Sequence, residues 1–492
     1  MNIAKIARSL VLIALVFVVV GGLVVFWWNV TDTNPSGRDI ALYLGVLPAG
    51  LLGSYWLLRW GRTRAQARRE TRAAAVGEPA PGTGGESIEA AMPAPDYVLH
   101  VLAGAVLLPA GASADEVAAA LVEPQRPGLH PQLRDESGLP VFAAQVEGVD
   151  AGAIADALRA HLHDDGAVGQ GVDEECLRAL ALLDPVAEEL LYVALPTSAP
   201  ADELLPPTTP YGNSRVVRSS APVSLLRVRL LLPAQWPQPV REAATQWLLA
   251  KAVAMGYTAD QLSIESLPVT DGAEVWRLLD HLGQALARAP DHDRQLLLAA
   301  HSHLGERSIE QLIARGRLLN SRRQEGLLPG EGAAGVLLAA IAPADADTPP
   351  LQMHRVVHGR NHAAAQSRAA VRQASELVQR ALTTAAQSAE TIRTVVSDAD
   401  HRPSRAIEIA GAVSMVLPEL DPVQHCLHLG VACGDLGPVA PLAALAVAAA
   451  QAARDAAPVL VVGLAADDTR AALAVTPLPT PTAAAEATAA AA

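Results

Sequence analysis

What most constrains the fold is an alternation of short apolar strands and helices that occurs twice, in the same order, between residues 97 and 475. In the first run, Tyr97–Leu108 reads as a long strand and Ala114–Val122 as a helix with Ser113 or Asp115 near its cap. After a polar excursion come a helix at Cys176–Ala194, a strand at Val223–Leu232, a helix at Val240–Ala254 and a strand at Leu262–Glu265. Ala273–Arg288 reads as a helix, Gln295–Ala300 as a strand and Gly335–Ile341 as the closing strand. The second run gives strand Met353–His358, helix Ala364–Gln387, strand Ile392–Val396, helix Pro403–Leu417 and a buried strand at Leu427–Ala432. It ends with helix Pro438–Arg454 and strands Pro458–Leu464 and Ala471–Val475. Each run is β-α-β-α-β-α-β-β. Strands that alternate with helices imply an α/β class with a largely parallel sheet and helices packed on it. The repeated order predicts a duplicated unit: two mixed sheets sandwiching buried, Ala-rich helices, with 273–288 and 438–454 as the central pair.

Composition narrows the setting. Aromatic residues make up only 3% of the chain, so the helices should pack closely through small side chains. The three cysteines, Cys176, Cys426 and Cys433, argue against a disulfide framework and fit a reducing compartment. A net charge of −14 excludes the basic footprint that nucleic-acid binding requires.

The N-terminus sets a membrane expectation. Ser9–Trp28 carries no charge and is long enough as a helix to cross a hydrocarbon core of roughly 30 Å. A second apolar stretch, Ile40–Leu58, follows a short polar loop, and Trp27, Trp28, Tyr55, Trp56 and Trp60 stand at the span ends, where amphipathic rings favour the headgroup layer. Lys5 and Arg8 precede the first span, and Arg59, Arg62, Arg64, Arg68, Arg69 and Arg72 follow the second. Both flanks should therefore be cytoplasmic, which makes residues 1–72 a two-helix hairpin that places the rest of the chain at the cytoplasmic face of a bacterial inner membrane. Ala73–Pro95 reads as a flexible linker and Pro477–Ala492 as a low-complexity tail. The linker ends where the first half (96–345) begins, and the second half occupies 346–476.

Several segments then resemble one family. YVLHVLAGAVLLPAGASADEVAAAL looks like the opening strand, turn and helix of the β-ketoacyl synthase branch of the thiolase-like fold, and Gly138–Asp150 looks like the segment that follows. The sharpest match, Gly326–Ala339 (GLLPGEGAAGVLLA), resembles the synthases' Gly-Glu-Gly-Ala segment before the last strand of the first half. Ile392–Ala412 stands where they carry a strand, a histidine loop and a Glu-containing helix; Ala432–Ala453 resembles the second histidine loop and the helix behind it. The resemblance covers about residues 97–475 and implies duplicated halves in α-β-α-β-α layers, and a homodimer. The membrane-proximal start and opening strand pattern also give an overall likeness to type VI secretion lipase-adapter proteins.

Synthase chemistry needs a thiolate to accept the acyl chain and two histidines to assist decarboxylation and stabilise an oxyanion. The resemblance places the nucleophile at the start of the helix after the third strand, where Gly272 or Ala273 stands here. Gly434, Asp435 and Leu436 occupy the second histidine loop, and His401 alone lies near the first histidine position. The residues left to form a candidate vestigial pocket are Gly272, Ala273, Asp398, Asp400, His401, Gly434 and Asp435. With its nucleophile missing, the chain is expected to keep the fold without the activity. No catalytic residue, cofactor or metal is expected; the bilayer and a protein partner are.

Other clusters have plainer readings. His301-Ser302-His303 reads as a polar turn at a strand end, and His425, Cys426, His428 and Cys433 as strand-edge histidines and buried thiols that need not converge. Asp398, Asp400 and His401 read as a polar loop that caps the helix near Pro403, at the strand end where α/β sheets place ligands. Gly330 and Gly332 read as a tight turn, and Arg315, Arg317, Arg322 and Arg323 as a solvated basic loop. The leading function is a membrane-anchored, non-catalytic scaffold or adapter. The competing readings are an acyl-transfer or condensing enzyme on lipid-derived thioesters, and a sensor of acyl ligands.

Overall fold

The computed structural model describes residues 96–162, 172–195, 224–342, 351–361 and 367–478. The expected membrane hairpin, its basic collar, the linker and all but the first two residues of the tail lie outside these. Among the described residues no helix is long and apolar enough to cross a membrane.

The strands are β1 (Val98–Leu107), β2 (Leu129–Arg134), β3 (Pro140–Phe142), β4 (Leu226–Pro233), β5 (Leu262–Val269), β6 (Arg294–Ser302) and β7 (Glu331–Ala339) in the first half. The second half holds β8 (Leu351–His354), β9 (Val357–Arg360), β10 (Thr394–Asp400), β11 (Cys426–His428), β12 (Val459–Gly463) and β13 (Thr469–Thr476). The helices are α1 (Ala114–Val122), α2 (Gly152–Arg159), α3 (Glu174–Val193), α4 (Gln238–Ala254), α5 (Gly272–Arg288), α6 (Glu306–Ala314), α7 (Arg368–Thr384), α8 (Pro403–Val416), the short α9 (Leu429–Cys433) and α10 (Ala440–Asp455).

The duplication is explicit in the strand order. The first half runs β5-β4-β6-β7-β1 and the second β11-β10-β12-β13-β8, so in both the main strands lie in the order third, second, fourth, fifth, first. The directions match too. β4 is parallel to β5 and β6, and β10 to β11 and β12; β7 and β13 are each antiparallel to both of their neighbours in the half. One expectation needs correction. The two mixed sheets are joined into a single eleven-stranded sheet, because the first strands of the two halves pair antiparallel, Val98 with His354 through Val101 with Leu351.

Helices occupy three layers around this sheet. α3 and α4 pack on the outer face of the first half and α7 and α8 on that of the second, each over its own apolar core. The inner core takes α1, α5 and α10 together with strand residues of both halves, including Leu99, Val336, Val396 and Val461. α10 contacts β1, β7, β10 and β12, and every residue from Ala440 to Ala448 is buried. A helix enclosed on all sides needs small side chains: a Cβ on Gly104 of β1 would stand 2.9 Å from that of Ala446. α5 buries one face through Ala273, Trp276, Leu279 and Leu286. The pair α5 and α10 is therefore central, as the repeated element order predicts.

Several local readings change. The apolar run Leu427–Ala432 is a strand only to His428 and then turns into α9, because Gly430 lies against Asp400, where a Cβ would come within 2.7 Å of the Asp400 Cβ. The single strand expected at Met353–His358 is two, β8 and β9. The small sheet β2–β3 and the helices α2 and α6 were not expected. They are short, and α6 with β2–β3 forms a satellite core around Leu133, Val141, Ile309 and Leu312.

Candidate functional site: a cavity at the start of α5

A cavity of about 240 Å³ is lined by the start of α5, the end of β6, Asp398 of β10, the segment around Asp435 and the β12–β13 hairpin. Of the seven residues expected in a vestigial pocket, four line it: Gly272, Ala273, Asp398 and Asp435.

The start of α5 carries no nucleophile. Asp271 caps the helix by accepting from the Glu274 N–H at 3.0 Å. A Cβ on Gly272 would meet the Gly437 carbonyl at 3.2 Å and the Pro441 ring at 3.3 Å, so this position is filled by the approach to α10. Ala273 follows, buried. The hydroxyls that line the cavity all donate to carboxylates: Thr270 to Glu274 at 2.9 Å, Ser308 to Glu175 at 2.6 Å and Thr469 to Asp468 at 3.2 Å. None is bonded to a histidine. The thiols are also out of play. Cys176, Cys426 and Cys433 are buried, and burial pushes all three up, Cys426 and Cys433 to about 12. Cys433, expected just past the end of a core strand, is the last residue of α9.

The remaining three expected residues lie away from the lining. Asp400 accepts from the Arg402 backbone N–H at 3.0 Å and from Arg402 Nε at 2.8 Å. It belongs to β10, as does Asp398, so these residues form a buried strand end and not a capping loop. His401 Nε2 donates to the Gly326 carbonyl at 3.1 Å. Gly434, at φ +67°, brings the loop against Leu328 and Pro329, and the Asp435 N–H donates to the Leu328 carbonyl at 2.8 Å. Gly330 and Gly332 likewise serve close approach. A Cβ on Gly330 would stand 2.1 Å from the Cys433 carbonyl, and neither glycine has a positive φ.

Sequence reasoning missed the residues that give the cavity its character. His301, expected in a polar turn at a strand end, is buried in β6, and among the described residues neither ring nitrogen has a hydrogen-bond partner. Burial first, and His303 second, hold its pKa well below that of a free imidazole. His303 stands edge-on at 4.1 Å between ring centroids, and its Nδ1 is 3.7 Å from Asp435 Oδ2. Trp276 Nε1 is buried and unpartnered as well. The apolar strand before His301 is buried on both faces, so no alternation marks where its buried part ends.

Asp398 is fastened to the hairpin on the far wall. It accepts from the N–H groups of Leu464 and Ala465, the latter at 2.9 Å, and burial raises its pKa to about 6 against the lowering effect of those donors. The hairpin is held from behind by three buried arginines. Arg402 donates to Ala465 O at 2.7 Å, Arg405 to Ala466 O at 3.0 Å and Arg470 to Ala466 O at 2.7 Å. At the mouth, Arg317 of the expected basic loop pairs with Asp467 at 3.1 Å.

The other cluster does not converge. His428 Nδ1 faces Ser397 Oγ at 2.8 Å, while His425 Nδ1 accepts from the Asp421 N–H at 2.9 Å. Among the described residues no group of three or more His, Cys, Asp or Glu side chains is placed to hold a metal ion.

No protein-family model matches the chain, and a search of curated proteins gives no match. Solved structures similar to it include the ishigamide ketosynthase/chain length factor, at 16% identity and TM-score 0.48 over 78% of this chain and 100% of that one. A second is the ketosynthase from module 6 of the bacillaene synthase of Bacillus subtilis 168, at 12% identity and TM-score 0.49 over 78% of this chain and 72% of that one. A third is a ketosynthase in complex with its chain length factor from Xenorhabdus doucetiae, at 13% identity and TM-score 0.48 over 78% and 98%. Likeness at this level carries no functional assignment, and the mixed α/β architecture stands on the strand order and directions of the chain itself.

Proposed function

We propose that this chain is a non-catalytic scaffold or adapter of ketosynthase-like build, held by an N-terminal hairpin at the cytoplasmic face of a bacterial inner membrane. The observation that carries the reading is the start of α5: Gly272 and Ala273 border the cavity where an acyl-accepting group would stand. An acyl transfer begins with a nucleophile activated by a base. The hydroxyls at the cavity donate to carboxylates and none pairs with a histidine, and the thiols are buried with raised pKa values. The basic flanks at Lys5–Arg8 and Arg59–Arg72 support the orientation. An adapter of this kind would hold its protein partner beside the membrane; service to type VI secretion is the context proposed, and a homodimer is the proposed assembly.

The test is to incubate the purified full-length protein with acyl-thioester donors and record its intact mass. An unmodified mass is expected. An acyl adduct that disappears when one cysteine is replaced by alanine refutes the reading and promotes the condensing enzyme. For topology, a reporter fused after Ala492 should be active only as a cytoplasmic enzyme; strong activity of a periplasm-only reporter overturns the orientation.

A further inference from the structure

Asp398 meets the cavity from near the end of β10, and one of its two oxygens has no task in the fold. Oδ1 accepts from the Leu464 and Ala465 N–H groups of the hairpin. Oδ2 accepts no hydrogen bond among the described residues, yet it is not one of the unpartnered atoms sealed in the interior, as the His301 nitrogens are. Asp398 is only 6% exposed and lines the cavity, so the surface left to Oδ2 opens into that space. The fold does not explain the charge. An asparagine oxygen would serve both N–H groups as well, and burial makes the carboxylate costly, raising its pKa to about 6. A group that titrates there is still mostly ionised at pH 7, and a buried charge calls for an opposite one. Arg470, the cation that acts on it, instead donates to Glu408, Ala466 and Thr469.

The rest of the lining separates its charges by depth. The Asp435 side chain is 17% exposed and faces His303 Nδ1 at 3.7 Å. His303 Nε2, like Asp398 Oδ2, is unbonded among the described residues without being sealed in. The arginines stand at the rim, Arg315 exposed and Arg317 paired with the exposed Asp467 at 3.1 Å. An anion finds its cations at the rim, and going deeper brings it to Asp398 and Asp435. An ammonium group finds acceptors inside: Asp398 Oδ2, through a charge-assisted bond, and His303 Nε2, in the tautomer whose Nδ1–H faces Asp435. An uncharged amide would leave the carboxylate without a counter-charge. We propose that the cavity binds a small primary amine as its ammonium ion, anchored on Asp398 Oδ2. The space, about 240 Å³, suits a chain of a few carbons, since a cavity of about 150 Å³ holds benzene. This site goes beyond the scaffold reading, which needs no ligand.

Butylammonium, butyramide and butyrate share a shape and differ in charge. Each is titrated into the full-length protein and followed through its own saturation-transfer signal. Butylammonium should bind saturably, and the other two at least about tenfold more weakly. Asp398→Asn removes the charge and keeps the shape of the side chain, so it should weaken butylammonium at least about tenfold while the circular dichroism spectrum stays that of the parent. Three results overturn the inference: no saturable butylammonium signal, butyramide or butyrate binding as tightly as butylammonium, or an unchanged butylammonium affinity in Asp398→Asn. The wild-type probe series decides the matter even if the variant does not fold. The thioester test of the scaffold reading is separate. An acyl adduct there leaves the amine site standing, and a failed titration here leaves that reading untouched.

Discussion

Arg178 and Glu331 form a closed pair between α3 and the first residue of β7, with Nε to Oε2 at 2.6 Å and Nη2 to Oε1 at 2.7 Å. The Glu331 side chain is wholly buried, and it also accepts from the Val146 N–H at 2.8 Å and Ser302 Oγ at 3.1 Å. One carboxylate thus ties an outer helix, the segment after β3 and the end of β6 to the start of β7. Removing one partner of a buried pair strands the other, at about 3–5 kcal/mol. Glu331→Ala should lose stability of that order in chemical denaturation, and Arg178→Ala/Glu331→Ala should lose less than the two single variants summed. Strict additivity would remove the pair from this role.

Asp398 should make stability fall with rising pH. Its pKa is raised from the usual 3.8 to about 6, so the folded chain binds this proton more tightly than the unfolded one. The stabilisation is full below about pH 4 and is lost as pH rises through 6, a change of about 3 kcal/mol at 1.36 kcal/mol per pK unit. Asp398→Asn keeps an oxygen for the Leu464 and Ala465 N–H groups without the charge. The variant should be more stable than the parent at pH 7.5, and the difference should shrink toward pH 4. A constant difference across that range contradicts the account.

How much of this was legible in the sequence depended on whether the signal was local. α10 was plain, because a run from Leu442 to Ala453 almost without charge can only be a buried helix. The duplication was plain from element order. β10 was read too short, at Val396, because Ser397, Asp398 and Asp400 look like a loop. They stay in a fully buried strand because their partners are supplied by the fold: His428 for Ser397, Leu464 and Ala465 for Asp398, and Arg402 for Asp400; Leu464 and Ala465 lie more than sixty residues away. β7 was read as starting at Gly335 for the same reason: a charged Glu331 hides a strand start unless Arg178 is known. The candidate site divides likewise. Motif position pointed to Gly272, Ala273 and Asp435, but nothing near His301 or Trp276 in the chain says that both rings end buried beside one cavity.

Gly330 should resist any side chain. Its missing Cβ would stand 2.1 Å from the Cys433 carbonyl, a backbone atom that cannot rotate away, in a segment where Pro329 bridges to Asp435. Gly330→Ala must push apart the contact between the halves and should cost about 1–3 kcal/mol. Gly128→Ala, where nothing lies within 4 Å, is the control and should stay within about 0.5 kcal/mol. Equal denaturation midpoints for the two variants would refute the packing argument.

The three natural thiols should react slowly in the native protein, since the thiolate is the reactive form and Cys426 and Cys433 titrate near 12. A thiol reagent at pH 8 should label all three only after denaturation; one fast native thiol would contradict their burial. Ala273→Cys supplies the contrast. This position lies in the first turn of α5 and lines the cavity, where the helix N-terminus favours a negative charge. The variant should gain one rapidly labelled thiol in the native state, with a rate that rises between pH 6 and 8 as the thiolate forms. A new thiol as slow as the other three would mean that the cavity is closed to solutes at the start of α5.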